Sequence, residues 1–196
     1  MKDVLRWPLR YGLLVSILLA GCSIERPELH GTLIEPAMSA PDFELASADG
    51  PVKKSDFEGR LVVLFFGYTH CPDVCPTTLA RLGRAMELLG PAAEEVQVLM
   101  VTVDPERDGA EKVAAYARAF DPSFLGLSGT AEEVGRVAAD FGIFHAKAEG
   151  SEATGYLVDH TATVTVLDRD GDTRLLWSFD VTPEEIAADL RYLIDR

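Results

Sequence analysis

Three cysteines in 196 residues are too few for a disulfide-built scaffold. Positive charge is scarce as well: 18 Lys and Arg stand against 32 Asp and Glu, a formal net charge of −14. Lys2, Arg6 and Arg10 against Asp3 give the first 21 residues +2, so the remainder carries −16. A body this acidic repels nucleic acid and anionic lipid surfaces and leaves cations and basic proteins as the partners its charge favours. Long apolar runs are missing too. YGLLVSILLA is about half the roughly 20 residues that a bilayer-spanning helix needs. There is no internal repeat and no low-complexity segment. What the chain does have, 47% hydrophobic and 26% charged residues, is ordinary for a single globular domain with a real core.

The short apolar run has a context of its own. MKDVLRWPLR precedes it as a basic region, and the small-residue sequence Leu19-Ala20-Gly21-Cys22 ends it. This pattern marks an export signal rather than a membrane span, and Leu19 to Cys22 resembles a bacterial lipobox. The resemblance implies cleavage before Cys22, lipid attachment to its sulfur, and a mature protein anchored by that lipid on the extracytoplasmic (periplasmic) side. Residues 1–21 are then the signal peptide, 22–40 a tether and 41–196 the folded domain. His30 falls in the tether and is expected to be solvated. With Cys22 set aside as an anchor, one pair is left, Cys71 and Cys75. A bridge across so short a loop removes little entropy from the unfolded chain, so a purely structural staple is a weak reading.

Periodicity organises the rest. Leu61 to Phe66 is a continuous apolar run rich in β-formers, the pattern of a central strand buried on both faces. From Pro76 the period changes: Leu79, Leu82, Met86 and Leu89 line one helical face, and Gly90-Pro91 closes it. Val96 to Val103 is a second strand. Helices follow over Ala110–Phe120 and Ala131–Phe141, the latter opened by a Thr130/Glu133 capping box. Ala162–Leu167 is a third strand, turning at Arg169–Asp172 into a fourth over Thr173–Phe179. Thr182, Pro183 and Glu185 open a last helix to Ile194. The first two strands should be parallel and the last two antiparallel. The fold class predicted is α/β, a thioredoxin-like mixed β-sheet flanked by helices on both faces. Its site should lie beyond the carboxyl end of the first core strand.

That end carries FFGYTHCPDVCPTTL. A residue before proline is disfavoured in helix, so Cys71 should sit in the loop and Cys75 just outside a helix that begins at Pro76. There the unpaired N–H groups and the helix dipole would stabilise a Cys75 thiolate. Alone, the motif fits redox chemistry and metal binding equally well. Two thiolates cannot hold an iron–sulfur cluster, and structural zinc wants four ligands. Two thiolates and one imidazole suit copper. His70 adjoins Cys71 and points away from it in an extended segment; His145 follows a helix and lacks polar neighbours. His160 precedes the third core strand, where thioredoxins place a cis-proline that shields the disulfide. Asp159 beside it is a candidate to orient its ring.

Gly67 to Pro76, then Val103-Asp104-Pro105-Glu106-Arg107-Asp108, then Val158-Asp159-His160-Thr161 together resemble the Sco/SenC copper-chaperone family over about residues 38 to 194. The resemblance implies Cys71, Cys75 and His160 as copper ligands, for Cu(I) and also Cu(II). It implies delivery of copper to, or thiol reduction of, the binuclear copper centre of cytochrome c oxidase, or service to another copper protein. In an oxidising compartment the dithiol then needs an upstream thiol reductant. The sequence departs from the family at Gly109, where threonine is usual, and so lacks a helix-capping hydroxyl. Asp104 and Asp108 are candidates to support the site or a partner contact, but read most simply as helix-start carboxylates. The alternative functions are a thiol–disulfide oxidoreductase using Cys71 and Cys75 as its catalytic dithiol, and a peroxiredoxin. The latter is disfavoured because Pro72 stands where the peroxide-positioning threonine belongs.

Overall fold

The computed structural model describes residues 29–151 and 155–196. The expected signal peptide, Cys22 and the expected tether as far as residue 28 lie outside them. Among the described residues, no helix is long and apolar enough to cross a membrane.

The core is a six-stranded mixed sheet. Its strands are β1 (Thr32–Met38), β4 (Leu61–Gly67), β5 (Val96–Thr102), β6 (Leu125–Leu127), β9 (Val164–Leu167) and β10 (Thr173–Trp177), in the order β1-β10-β9-β4-β5-β6. All seven residues of β4, and all seven of β5, are buried. A strand covered on both faces has no polar side to present, which explains the unbroken apolar runs. The two pair in parallel through helix α1 (Val74–Leu89), while β9 runs antiparallel to both β4 and β10.

Both faces carry helices, as the thioredoxin-like arrangement requires. α1 packs against α4 (Pro183–Ile194). Phe66 meets Phe141, just past α3 (Ala131–Asp140), at 6.1 Å between ring centroids. Neighbouring Gly67 instead faces Cys75 of α1, so successive β4 residues serve opposite layers. Helix α2 (Ala110–Arg118) approaches the sheet closely: a Cβ on Gly126 of β6 would lie 2.3 Å from the Val113 carbonyl carbon. Capping boxes open α3 at Thr130/Glu133 and α4 at Thr182/Glu185. Gly109 caps α2 without a side-chain bond.

Two small hairpins lie off the main sheet: β2 (Glu44–Ser47) with β3 (Gly50–Lys53), and β7 (His145–Ala148) with β8 (Leu157–His160). Gly50, at φ 124°, takes the left-handed conformation that this tight turn needs.

Two expectations change. The tether does not extend to residue 40, because Thr32–Met38 joins the sheet at the outer edge of β10. That edge would otherwise expose unpaired backbone groups, and Pro36 is tolerated on an edge strand. The incoming chain is pinned by buried Asp189, which accepts bonds from His30 N, Gly31 N and Trp177 Nε1. His30 is therefore anchored through its backbone and pairs with Glu185 at 3.5 Å rather than being merely solvated. Helix α1 also starts two residues earlier than the proline rule predicts, at Val74. Pro76 then occupies the third helical position, where its missing N–H is one of the four that no helix can satisfy internally.

Candidate metal centre

The loop after β4 and the first turn of α1 bring the two sulfurs together, and the end of β8 adds the imidazole. Ligand atoms of Cys71, Cys75 and His160 all lie within 4.8 Å of one another. Cys75 is fully buried, whereas Cys71 and His160 are half-buried, so the centre opens to the surface through these two. No disulfide joins the two sulfurs in this structure.

The thiolate resides on Cys71, which corrects the expectation that the helix start would favour Cys75. Cys71 Sγ receives a hydrogen bond from the Cys75 thiol, offset in part by burial, and further bonds from His160 and from the backbone N–H groups of Asp73 and Cys75. Together these hold its pKa down to about 4, from an ordinary 9.0. The Cys75 N–H lies 3.4 Å from that sulfur, so an orphan donor of the helix N-terminus is satisfied by the thiolate. Cys75 is pushed the other way, because it donates its proton to Cys71, is buried and faces the Cys71 charge. The helix start does stabilise a thiolate, but on the loop cysteine in front of it rather than on the one inside its first turn.

His160 is presented in one tautomer. Its Nδ1 lies 3.0 Å from the Thr161 carbonyl, which can only accept, so Nδ1 carries the hydrogen. The other ring nitrogen, Nε2, faces the two sulfurs and lies 3.5 Å from Cys75 Sγ. Thr161 takes the orienting role foreseen for Asp159, which is exposed. Tyr68 packs edge-on against the imidazole, with ring centroids 6.0 Å apart, and its hydroxyl accepts from Val158 N at 3.3 Å.

The other histidines stand apart. His70 turns toward Thr69, Lys112 and Asp108. His145 pairs across the hairpin from His160 but does not join the ligand cluster.

Asp104 and Asp108 prove to be more than helix-start carboxylates. Asp108, with a fully buried side chain, accepts from Thr69 N at 2.7 Å and Thr69 Oγ1 at 2.6 Å and pairs with Lys112 at 3.2 Å. Burial pushes its carboxyl up, but the bonds from Thr69 and Lys112 outweigh burial and leave its pKa below the ordinary value. Asp104 accepts from Tyr156 Oη at 2.7 Å and from Arg107 Nε. Arg107 and Lys112 are local partners, but no local pattern announces Thr69 or Tyr156, which lie 39 and 52 residues away in sequence.

The donor set of two sulfurs and one imidazole nitrogen fits a soft, low-coordinate ion such as Cu(I). Comparison with known proteins agrees with this chemistry. Residues 32–195 match the family model described as SCO1/SenC. The mitochondrial SCO2 homologue of Bos taurus is 36% identical over 162 residues, covering 81% of this chain and 61% of its own. The solution structure of apo Sco1 from Thermus thermophilus is 48% identical with a TM-score of 0.78, covering 85% of this chain and 97% of that one. The structure of Bradyrhizobium japonicum ScoI with copper bound is 36% identical with a TM-score of 0.72, covering 79% and 98%. The chain spans between half and two-thirds of the length of the mitochondrial SCO2 relatives it matches.

Proposed function

The chain belongs to the SCO1/SenC family, and we propose that it is a copper metallochaperone that binds Cu(I) through Cys71, Cys75 and His160. The observation that carries the reading is Nε2 of His160 facing two sulfurs within one cluster, one of them already ionised. With Cys71 a thiolate at neutral pH, only Cys75 of the two thiols has a proton to lose on loading, so the thiols together release about one proton per ion bound. The half-exposed Cys71 and His160 give an acceptor access to the ion for ligand exchange. Oxidation to a Cys71–Cys75 disulfide removes two of the three donors, so an upstream reductant gates loading. The acceptor is the binuclear copper site of cytochrome c oxidase, as the motifs' resemblance implies. Copper binding itself is supported by the Bradyrhizobium japonicum relative, whose structure has copper bound. Lipid on Cys22 would hold the domain on the extracytoplasmic face of the membrane.

A second reading rests on the same asymmetry of the thiols. Cys71 is the ionised, accessible nucleophile and Cys75 the buried resolving thiol. Cys71 attacks a target disulfide and one target sulfur leaves as thiolate. Cys75 then loses its proton and attacks Cys71, freeing the second target sulfur; two electrons pass to the target. The two readings separate at His160. Anaerobically loaded protein is mixed with a reduced binuclear copper-site domain, and unloaded reduced protein with the oxidised domain. A chaperone transfers copper, and His160→Ala abolishes loading while sparing disulfide exchange. Equal copper affinity in His160→Ala and wild type would refute the ligand assignment.

A further inference from the structure

The β7–β8 hairpin that presents His160 stands outside the main hydrogen-bonded sheet: its two strands pair only with each other. Main-chain ladders therefore do not fix the imidazole relative to the cysteines, which sit on α1 and on the loop that follows β4. Side chains do: Tyr68, ahead of the cysteine loop, accepts from Val158 N and packs against His160, and the others converge on the five-residue turn after β5. Arg107 Nη1 donates to the Tyr156 carbonyl at 2.9 Å, and its guanidinium lies 3.6 Å from the centroid of the Tyr156 ring. Tyr156 Oη in turn donates to Asp104 Oδ1. Tyr156 directly precedes β8, three residues before Asp159 and four before His160. On the other side, Asp108 of the same turn holds Thr69, two residues before Cys71. The turn itself is rigid. Arg107 N and Asp108 N both bond the Asp104 carbonyl, Ser128 Oγ bonds the Asp108 carbonyl, and both carboxylates are buried.

We propose that the Asp104–Asp108 turn sets the separation between the dithiol and His160, with Arg107 as a positioning residue for the imidazole and Asp108 for the cysteine loop. This deepens the copper reading and rests on it. Arg107 touches no ligand; it acts by holding the strand that carries His160. Removing it should therefore free the imidazole while leaving both sulfurs in place. Outer-shell residues of this type change metal affinity by about 10- to 100-fold.

The test is a double-mutant cycle in Cu(I) affinity, measured by competition with a chromogenic chelator, over wild type, R107A, H160A and R107A/H160A. R107A should lose about 10- to 100-fold in the wild-type background and less than about 2-fold when His160 is already absent. The Cu(II) electron paramagnetic resonance spectrum of R107A should lose nitrogen splitting, as in H160A. R107K keeps the charge with a single nitrogen that cannot span Asp104 and Tyr156, and should fall between the two. Amide hydrogen exchange, which needs no metal, should speed up at Val158 to His160 in R107A and stay slow across β4. An equal loss in both backgrounds, or none in wild type, overturns the proposal. If wild type and H160A bind copper alike, the ligand reading fails instead. The exchange data then decide whether Arg107 holds the hairpin.

Discussion

Alkylation of Cys71 in the reduced protein should be almost independent of pH between about 5 and 8. A thiol at its ordinary pKa of 9.0 gains nearly 1,000-fold in thiolate over that range and reacts correspondingly faster. With the pKa held at about 4, the thiolate fraction changes by only about 10%. The lower basicity also reduces intrinsic reactivity: five units at a Brønsted slope of 0.4–0.5 give about 10²-fold. Cys71 should thus outpace an ordinary thiol by about 30- to 90-fold at pH 5 and lag it by about 10- to 30-fold at pH 8. The assay is stopped-flow iodoacetamide labelling with mass-spectrometric assignment; buried Cys75 should remain unlabelled while the domain is folded. Cys75→Ala removes the largest cause of the shift, the hydrogen bond from the Cys75 thiol, and should restore a pH-dependent rate. A wild-type rate that climbs about tenfold per pH unit through this range would refute the assignment of the thiolate to Cys71.

Three further outcomes follow from the same geometry. A Cys71 pKa depressed on folding contributes stability that is present above the unfolded value of 9.0 and lost as pH falls through about 4. Urea midpoints of the reduced domain should accordingly drop between pH 8 and pH 4.5 by more than those of the disulfide form, which has no thiol to titrate. Gly109→Thr should stabilise the domain by about 0.5–1 kcal/mol, because it supplies the missing cap and restricts the unfolded chain. Gly109 has φ −66° and open space around its Cβ direction, so neither strain nor a clash opposes the change; an unchanged or lower melting temperature would contradict it. Gly126→Ala should cost about 1–3 kcal/mol by overpacking. The added carbon meets the Val113 and Ala114 backbone at 2.3–2.5 Å, and α2 must move to admit it.

The parts of the fold set by local pattern could be read directly from the residues. Continuous apolar runs marked β4 and β5 because strands buried on both faces tolerate nothing else. Thr130/Glu133 and Thr182/Glu185 announced their helices because capping is a contact across three residues. Strand β1 was hidden: its exposed edge carries little periodicity, and Pro36 argues against a central strand. The three residues of β6 and the four of β8 are too short for a period to show. At the centre, the identities of Cys71, Cys75 and His160 were legible from motif and order, but the distribution of charge was not. Which sulfur ionises depends on a hydrogen bond between the two and on the true start of α1. The roles of Arg107 and Asp108 depend on partners about 40 to 50 residues away, a distance over which sequence carries no pattern.

The account stands most directly on anaerobic titration of the reduced domain with Cu(I), in competition with a chelator of known affinity and with protons counted in weak buffer. It predicts one ion per chain and release of about one proton at neutral pH. Affinity should fall in both Cys71→Ser and His160→Ala. Wild-type binding no tighter than that of either variant would contradict a centre built from Cys71, Cys75 and His160.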